Sequence, residues 1–518
     1  MAPKPSKPMP FTISFTFFMI FLTLFTIHYL RQIRDDFQIR ATQGKLVTNI
    51  RPEWLNFVLR EFGDERTINV GFVNTDEIRT KGVKTGKVNF DPVDEKYIKW
   101  SELFPVWINE SSHSGCPRIP MPEFGDYREV DVVVARVPSE EVDLVVANLL
   151  VRSGRKDDGP VFAVFIGSGG PMWEIFRCED LLWNVGDTWV YKPDLERIKQ
   201  KVTMPVGSCQ ISHPITQSDE ELLRSKNHNI RQPREAYVTV LHSSESYVCG
   251  AIALAQSIIR TNSTKDLVLI ADEHITPHSI HGLQSAGWKI KRIKRIRSPH
   301  TKKYAYNKWN YSKLRIWQLK GYDKVMFIDS DFIVTKNMDK FFVYPQISAS
   351  GNDGHIFNSG LMVVEPSECT FETLMRKRFS IESYNGGDQG FLNEMFPWWH
   401  RLPAKLNWLK FFGSGQEYAH RIPDDTHAIH YLGLKPWWCY RDYDCNWDKI
   451  EAQQFASDSA NERWWYVYDN MSKELREYCS LTPEMDGNLR KYREIARNAS
   501  LPDGHWKIEI KDERRNFM

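Results

Sequence analysis

The sequence predicts an α/β protein whose larger unit is a doubly wound sheet, preceded by a membrane anchor and a smaller α/β unit. Three observations carry this. Short apolar strand-like runs alternate with helical stretches through the second half of the chain, the pattern of a sheet covered by helices. A shorter version of the same alternation precedes it. Phe11 to Leu30 (FTISFTFFMIFLTLFTIHYL) contains no Asp, Glu, Lys or Arg, and its length matches an α-helix crossing roughly 30 Å of hydrocarbon.

The 518 residues are 42% hydrophobic and 26% charged, which reads as globular and long enough for two folded units plus accessory segments. Lys and Arg total 68 against 66 Asp and Glu. That balance gives no electrostatic case for nucleic acid as a partner.

Residues 1–10 read as a cytosolic tail and 11–30 as an uncleaved anchor, because the run ends in His28-Tyr29-Leu30-Arg31 without a small-residue cleavage site. Flanking charge conflicts over orientation. Arg31, Arg34, Arg40 and Lys45 outnumber Lys4 and Lys7 and point the remainder at the cytosol. Asn-x-Ser/Thr sequons at Asn109, Asn262, Asn310, Asn470 and Asn498 point to the secretory lumen, and a lumenal remainder is the expectation. Residues 31–65 read as a charged stem.

From 66 to 230 the strand candidates are Ile68–Asn74, Val130–Val137 and Val161–Ile166, with a helix over Glu140–Ser153. Gly167-Ser168-Gly169-Gly170 lacks the spacing and Lys of a phosphate-binding loop and reads as an ordinary turn. A polar linker, Ser218 to Arg234, leads to the larger unit at 231–518, with a C-terminal extension from about 450. Its strands are Tyr237–Leu241, Leu267–Ala271, Lys324–Ile328 and Leu361–Val364. Its helices are Tyr247–Arg260, the region around Ile280–Ala286, Lys313–Lys320 and Phe391–Phe396. None of the eight cysteines forms a Cys-x-x-Cys pair, which argues against a zinc ribbon or redox motif. Cys439 and Cys445 are close enough to pair in an oxidising compartment; other connectivity stays open.

Four segments carry candidate chemistry. Asp329-Ser330-Asp331 follows the apolar strand Val325–Ile328, where two carboxylates can converge on one hard cation. An isolated Asp-x-Asp is most often a solvated turn; its place at the end of a buried strand brings a metal site level with that reading. His430-Tyr431-Leu432-Gly433-Leu434-Lys435 offers an imidazole ligand, a glycine permitting close backbone approach and a lysine point charge for phosphate. A lone His is more often a satisfied core residue, the reading kept for His427. Asn358-Ser359-Gly360 precedes a strand, and Asn385-Gly386-Gly387-Asp388-Gln389 presents Asp388 and Gln389 at a helix start; either alone is equally a turn or cap.

Together, in this order over about 236–445, the four segments resemble the metal-dependent retaining glycosyltransferases of family 8, which include glycogenin and galactinol synthase. The resemblance implies a GT-A type nucleotide-sugar-binding domain. It implies Asp329, Asp331 and His430 as ligands of Mn²⁺, or of Mg²⁺ in its place, with Ser330 between the acids. Lys313 would lie near the donor and Tyr247 near the nucleotide base. Asn358, Ser359 and Gly360 would meet the sugar, and the turn Asn385, Gly386, Gly387 with Gln389 would belong to the donor-binding set. Gly433 and Lys435 would meet the diphosphate, and Asp388 would be the catalytic residue nearest the reacting carbon.

The strings NYSKLRIWQL, FNSGLMVVEPS, YNGGDQGFLNE and HYLGLKPWWCYRDYDCNW are similar to those of the plant xylan glucuronosyltransferases, as are the anchor and the extra N-terminal unit. That closer resemblance implies UDP-glucuronate as donor, xylan as acceptor, an α-(1→2) branch, and a Golgi membrane protein of single-pass type II topology. Oligomerisation stays open. Asn385 stands where glycogenins have Asp, and one residue fewer separates Gly433 from Lys435. Both departures weigh against a glycogenin-like activity. Alternatives are another UDP-sugar such as galactose or glucose, another acceptor, or a non-catalytic lectin-like subunit. A uronate donor calls for a cation, with Lys308, Arg315 and Lys410 as candidates. Trp398-Trp399, Trp437-Trp438 and Trp464-Trp465 suit core packing better than stacking on polysaccharide.

Overall fold

The computed structural model describes residues 51–515, except 64–66, 77, 79, 81, 89–98, 111–115, 118–120, 122–128, 138–139, 156–158, 213–232, 303, 353–354 and 414–419. The expected tail, anchor and most of the stem lie outside the described residues, as does most of the linker. Among the described residues no helix is long and apolar enough to cross a membrane.

One compact unit comprises the chain up to Arg66 with Arg79–Gly82, and its described part is the helix α1 (Glu53–Phe62), entered after Pro52. The other comprises Thr67–Ile78 and everything from Val83. It contains two large sheets. The first has six strands: β1 (Ile68–Val73), β2 (Val83–Val88), β3 (Val132–Arg136), β4 (Phe162–Ile166), β5 (Leu181–Val185) and β6 (Thr188–Tyr191), in the order β2-β1-β3-β4-β6-β5. The helices α2 (Glu140–Ser153) and α3 (Leu195–Thr203) belong to the same region, Asp194 capping the latter through the Glu196 and Arg197 amides. The glycine run after β4 is a turn, as expected; a Cβ on Gly167 would fall 1.9 Å from the Val137 carbonyl.

The second sheet places β7 (Glu235–Leu241), β8 (Asp266–Ala271), β9 (Lys289–Arg292), β10 (Lys324–Ile328), β12 (Ser348–Gly351), β13 (Phe357–Val364) and β14 (His400–Arg401) in the order β14-β12-β13-β10-β7-β8-β9. β10, β7, β8 and β9 are parallel, whereas β13 runs antiparallel to β10 and to β12. The fold is therefore mixed α/β. Side-chain alternation makes it two-sided: Tyr237 and Leu241 of β7 enter one core while Ala236 and Val238 enter the other. On the first face lie α4 (Val248–Arg260), α5 (Pro277–Ser285) and α8 (Asp458–Asp469); on the second lie α6 (Glu368–Lys377) and α7 (Asp388–Met395). A small third sheet, β11 (Phe332–Val334), β16 (Ala428–His430) and β15 (Trp408–Leu409), stands beside the end of β10.

Two expectations are corrected. The helix expected over Lys313–Lys320 begins three residues earlier and is a 3₁₀-helix, Asn310–Gln318. The tighter winding eclipses residues three apart, which brings Asn310 and Lys313 onto one face. Asn358-Ser359-Gly360 does not precede a strand but lies inside β13. The polar residues that read as a turn are buried partners of the site, and the Gly360 carbonyl accepts from the Asp329 amide just beyond the end of β10.

All eight cysteines are paired, as Cys116–Cys209, Cys178–Cys369, Cys249–Cys479 and Cys439–Cys445. Cys178–Cys369 links the region of the first sheet to α6. Close by, the buried Glu365 carboxylate faces Arg177 and, at 3.7 Å, Lys324. Burial alone would raise its pKa, but the two cations hold it down at about 2.

Candidate active site

The site assembles where β10 ends. Asp329, Asp331 and His430 bring one ligand atom each within 4.8 Å of one another. His430 is delivered by β16, whose pairing with β11 sets it opposite Phe332; the two rings stack at 4.2 Å. Its Nε2 stands 3.5 Å from the Asp331 carboxylate. Its Nδ1 stands 3.3 Å from Asn407 Oδ1, and the Asn407 amide donates to Asn358 Oδ1 at 3.0 Å. Asn407 thus orients the imidazole, and no sequence pattern singles it out.

Strand alternation in β13 divides Asn358, Ser359 and Gly360 between its two faces. Asn358 and Gly360 face His430, and a Cβ on Gly360 would come within 2.7 Å of that ring. Ser359 faces the other way, donating to Asp388 at 2.9 Å. Lys313 sits between two acids, its ammonium 2.5 Å from Asp388 and 3.3 Å from Asp329, with the Ser359 carbonyl accepting at 3.1 Å. The Asn310 amide donates to the second Asp388 oxygen at 3.3 Å. Asn310, which the sequence places in a sequon, therefore contacts the site.

Charge sorts the carboxylates. Burial pushes the Asp329 carboxyl up to about 6, Lys313 opposing and Asp331 and Asp388 adding to the rise. Asp331 is less exposed than Asp329, yet Lys435 and His430 outweigh burial and hold it far below the usual carboxylate range. Asp388 is lowered as well, since the Lys313 charge and the Lys313 and Ser359 hydrogen bonds outweigh burial. Those acids in turn raise Lys313 against the downward pull of its own burial.

Lys435 lies 2.7 Å from Asp331, four residues beyond Tyr431, whose amide donates to the Asp331 carbonyl. Gly433 turns the chain between them at φ +75°; a Cβ there would meet Asn446 Oδ1 at 2.4 Å. Tyr247 ends the loop before α4 and packs edge-on against Trp437 and Trp438, with the Lys435 ammonium 6.0 Å from its ring. Ser330 is buried between the acids. Its carbonyl would lie 2.4 Å from a Cβ on Gly250 in the first turn of α4, a close approach that the sequence reading missed.

The turn before α7 is held from within and by Ser298 and Asn307, which donate to the Gly386 and Asn385 carbonyls. Asn385 Oδ1 accepts from the Gly387 amide and the Ser383 hydroxyl, and Gly386 adopts φ +68°. Gln389 accepts from the Ser359 amide at 3.1 Å and donates to the Tyr384 hydroxyl. The structure thus brings Lys313, Asp329, Asp331, Asn358, Ser359, Gly360, Asp388, Gln389, His430 and Lys435 into one continuous network. Asn385, Gly386, Gly387 and Gly433 act within it as turn formers. Lys410 is removed from the uronate candidates: it is buried against Asp444 at 2.6 Å. Arg315 is committed to the Lys294 carbonyl and Gln318. Trp398, Trp399, Trp437, Trp464 and Trp465 are core residues.

This arrangement suits an α/β transferase whose anionic donor binds at the open end of the sheet, and comparison with known proteins agrees. The glycosyl transferase family 8 model matches residues 238–347 and 342–439, and the GUX1-5 N-terminal domain model matches 43–209. Putative UDP-glucuronate:xylan alpha-glucuronosyltransferase 4 of Arabidopsis thaliana is 49% identical, over 97% of each chain. UDP-glucuronate:xylan alpha-glucuronosyltransferase 2 of that plant is 45% identical over 86% of this chain and 80% of its own. Number 1 of the series is 39% identical over 96% and 81%. The chain is a family 8 glycosyltransferase and belongs to the plant UDP-glucuronate:xylan alpha-glucuronosyltransferase family.

Proposed function

We propose that this protein transfers glucuronic acid from UDP-glucuronate to a xylan backbone, with retention of configuration, forming an α-(1→2) branch. The observation that carries the reading is 39–50% identity over most of the chain to relatives of that name. The unbroken Asp329–Asp331–His430 cluster supports catalysis over a lectin-like role. Two carboxylates and an imidazole fit Mn²⁺, with Mg²⁺ as the other suitable cation. When bound, such an ion neutralises charge on the departing diphosphate.

The chain's own residues do the rest. Lys435 supplies a point charge for phosphate oxygens. Asp388, kept ionised by Lys313, steadies positive charge at the anomeric carbon and orients the acceptor hydroxyl. Since Asn385 replaces a second carboxylate and directs its Oδ1 into its own turn, front-face attack fits better than a two-carboxylate double displacement. In that route the leaving phosphate takes the acceptor's proton. Complete cysteine pairing fits an oxidising lumen, and with the apolar run Phe11–Leu30 supports a type II Golgi membrane protein.

The test is transfer to xylohexaose by the purified full-length chain with Mn²⁺, comparing UDP-glucuronate, UDP-galactose and UDP-glucose. UDP-glucuronate as the strongly preferred donor, with transfer abolished by EDTA and by Asp331→Ala, is the expected result. Product only from another donor would overturn the donor assignment.

A further inference from the structure

A donor carrying a carboxylate at C6 needs a cation that the catalytic network has not already engaged. Lys313 is shared between Asp329 and Asp388, Lys435 is held by Asp331, and Lys410 is buried with Asp444. Arg315 points away, towards Gln318 and Phe371. Two basic side chains meet on a different surface of the site, the indole of Trp309. The Arg295 guanidinium carbon lies 3.9 Å from that ring's centroid and the Lys308 ammonium 5.1 Å.

Trp309 immediately precedes Asn310, which donates to Asp388, and Lys313 follows on the next turn of the same 3₁₀-helix. Stacking on Trp309 therefore ties Arg295 to the element that holds the reacting end of the site. From its other side Arg295 reaches the exit of β7, with Nη1 3.3 Å from Ser243 Oγ and 3.8 Å from Asp272. Ser243 and Asp272 follow the carboxyl ends of β7 and β8, where ligands of open α/β sheets bind. Asp272 is buried and already accepts from the Ser243 and His274 amides, so the long contact with Arg295 leaves most of the guanidinium fork available.

We infer that Arg295, held on Trp309 and assisted by Lys308, reads the uronate carboxylate of the donor and sets the preference for UDP-glucuronate over UDP-glucose. The inference rests on the donor assignment proposed above. The chemistry favours arginine: a planar fork matches a carboxylate bidentately and stacks on an aromatic face, which an ammonium does less well. Removing it leaves a desolvated carboxylate without its partner, whereas a neutral 6-hydroxymethyl donor loses nothing comparable.

The experiment measures kcat/KM for UDP-glucuronate and UDP-glucose, and UDP affinity by calorimetry, for the full-length wild type, Arg295→Gln, Arg295→Lys and Lys308→Gln. Arg295→Gln is expected to lower kcat/KM for UDP-glucuronate roughly 10- to 100-fold, leaving UDP-glucose turnover and UDP affinity within about twofold. Arg295→Lys, the fallback should the Gln variant not fold, is expected to fall between. Equal loss for both donors would make Arg295 only a counter-charge for Asp272 and overturn the inference, as would loss of UDP affinity. A wild type that uses the two donors equally would instead overturn the donor assignment, and the inference with it.

Discussion

Replacing Gly250 by alanine sets two effects of opposite sign against each other. In a helix the change ordinarily stabilises by up to about 1 kcal/mol, since glycine loses more backbone freedom on folding. Here the added Cβ would stand 2.4 Å from the Ser330 carbonyl and 2.6 Å from the Trp437 ring. Neither neighbour swings aside easily: the carbonyl belongs to the backbone linking Asp329 to Asp331, and Trp437 is buried with its Nε1 donating to the Ser246 carbonyl. Overpacking of this kind costs about 1–3 kcal/mol, so the net change is a loss of up to about 2 kcal/mol. Gly487 in α9 (Pro483–Asn498) supplies the control, because a Cβ there meets nothing within 4 Å. Gly487→Ala should therefore raise stability where Gly250→Ala lowers it. Chemical denaturation of both variants reads the two signs, and Mn²⁺ titration of Gly250→Ala reads the displaced acids as weaker binding. A Gly250→Ala protein as stable as the wild type, with unchanged Mn²⁺ affinity, would refute the claim that this close approach positions the acidic pair.

Three further outcomes are expected. Asn407→Ala should weaken Mn²⁺ binding roughly 10- to 100-fold by freeing the His430 ring, read by titration without turnover; unchanged affinity would remove Asn407 from the site. Asp388→Asn should reduce transfer at least about 100-fold while UDP affinity persists, and a full transfer rate would end the role assigned to Asp388. Glu365 has its folded pKa lowered from 4.5 to about 2, so its stabilisation is complete above the unfolded value and is lost as pH falls through the folded one. Wild-type stability should drop by on the order of 3 kcal/mol between about pH 5 and pH 2 from this group. Glu365→Gln should be less stable at neutral pH and lack that part of the slope; identical acid denaturation curves would contradict the assignment.

Much of the fold was legible because burial writes a period into a sequence. The apolar runs of β1, β3, β4, β7, β8 and β10 sit where the alternation places them, and Asp329 and Asp331 follow β10 as read. Reading failed where side chains are polar and buried together. Asn358-Ser359-Gly360 has the composition of a turn, yet its backbone pairs in a strand and its polar groups find partners on other elements. Asn310 reads as a glycosylation sequon until the 3₁₀ winding turns it onto Asp388.

By itself the sequence determined the apolar central strands, the acidic pair at a strand end, and the family to which the motifs belong. These are local: they depend on residues adjacent in the chain and on periods of two and about four. Tertiary structure decided which distant groups meet. Lys313 is set between Asp329 and Asp388, Asn407 is placed behind His430, Arg295 is laid on Trp309, and Gly250 is pressed against the loop that holds the acids. Each pairing follows from where helices and strands pack, and packing is a property of the whole chain that no local pattern encodes.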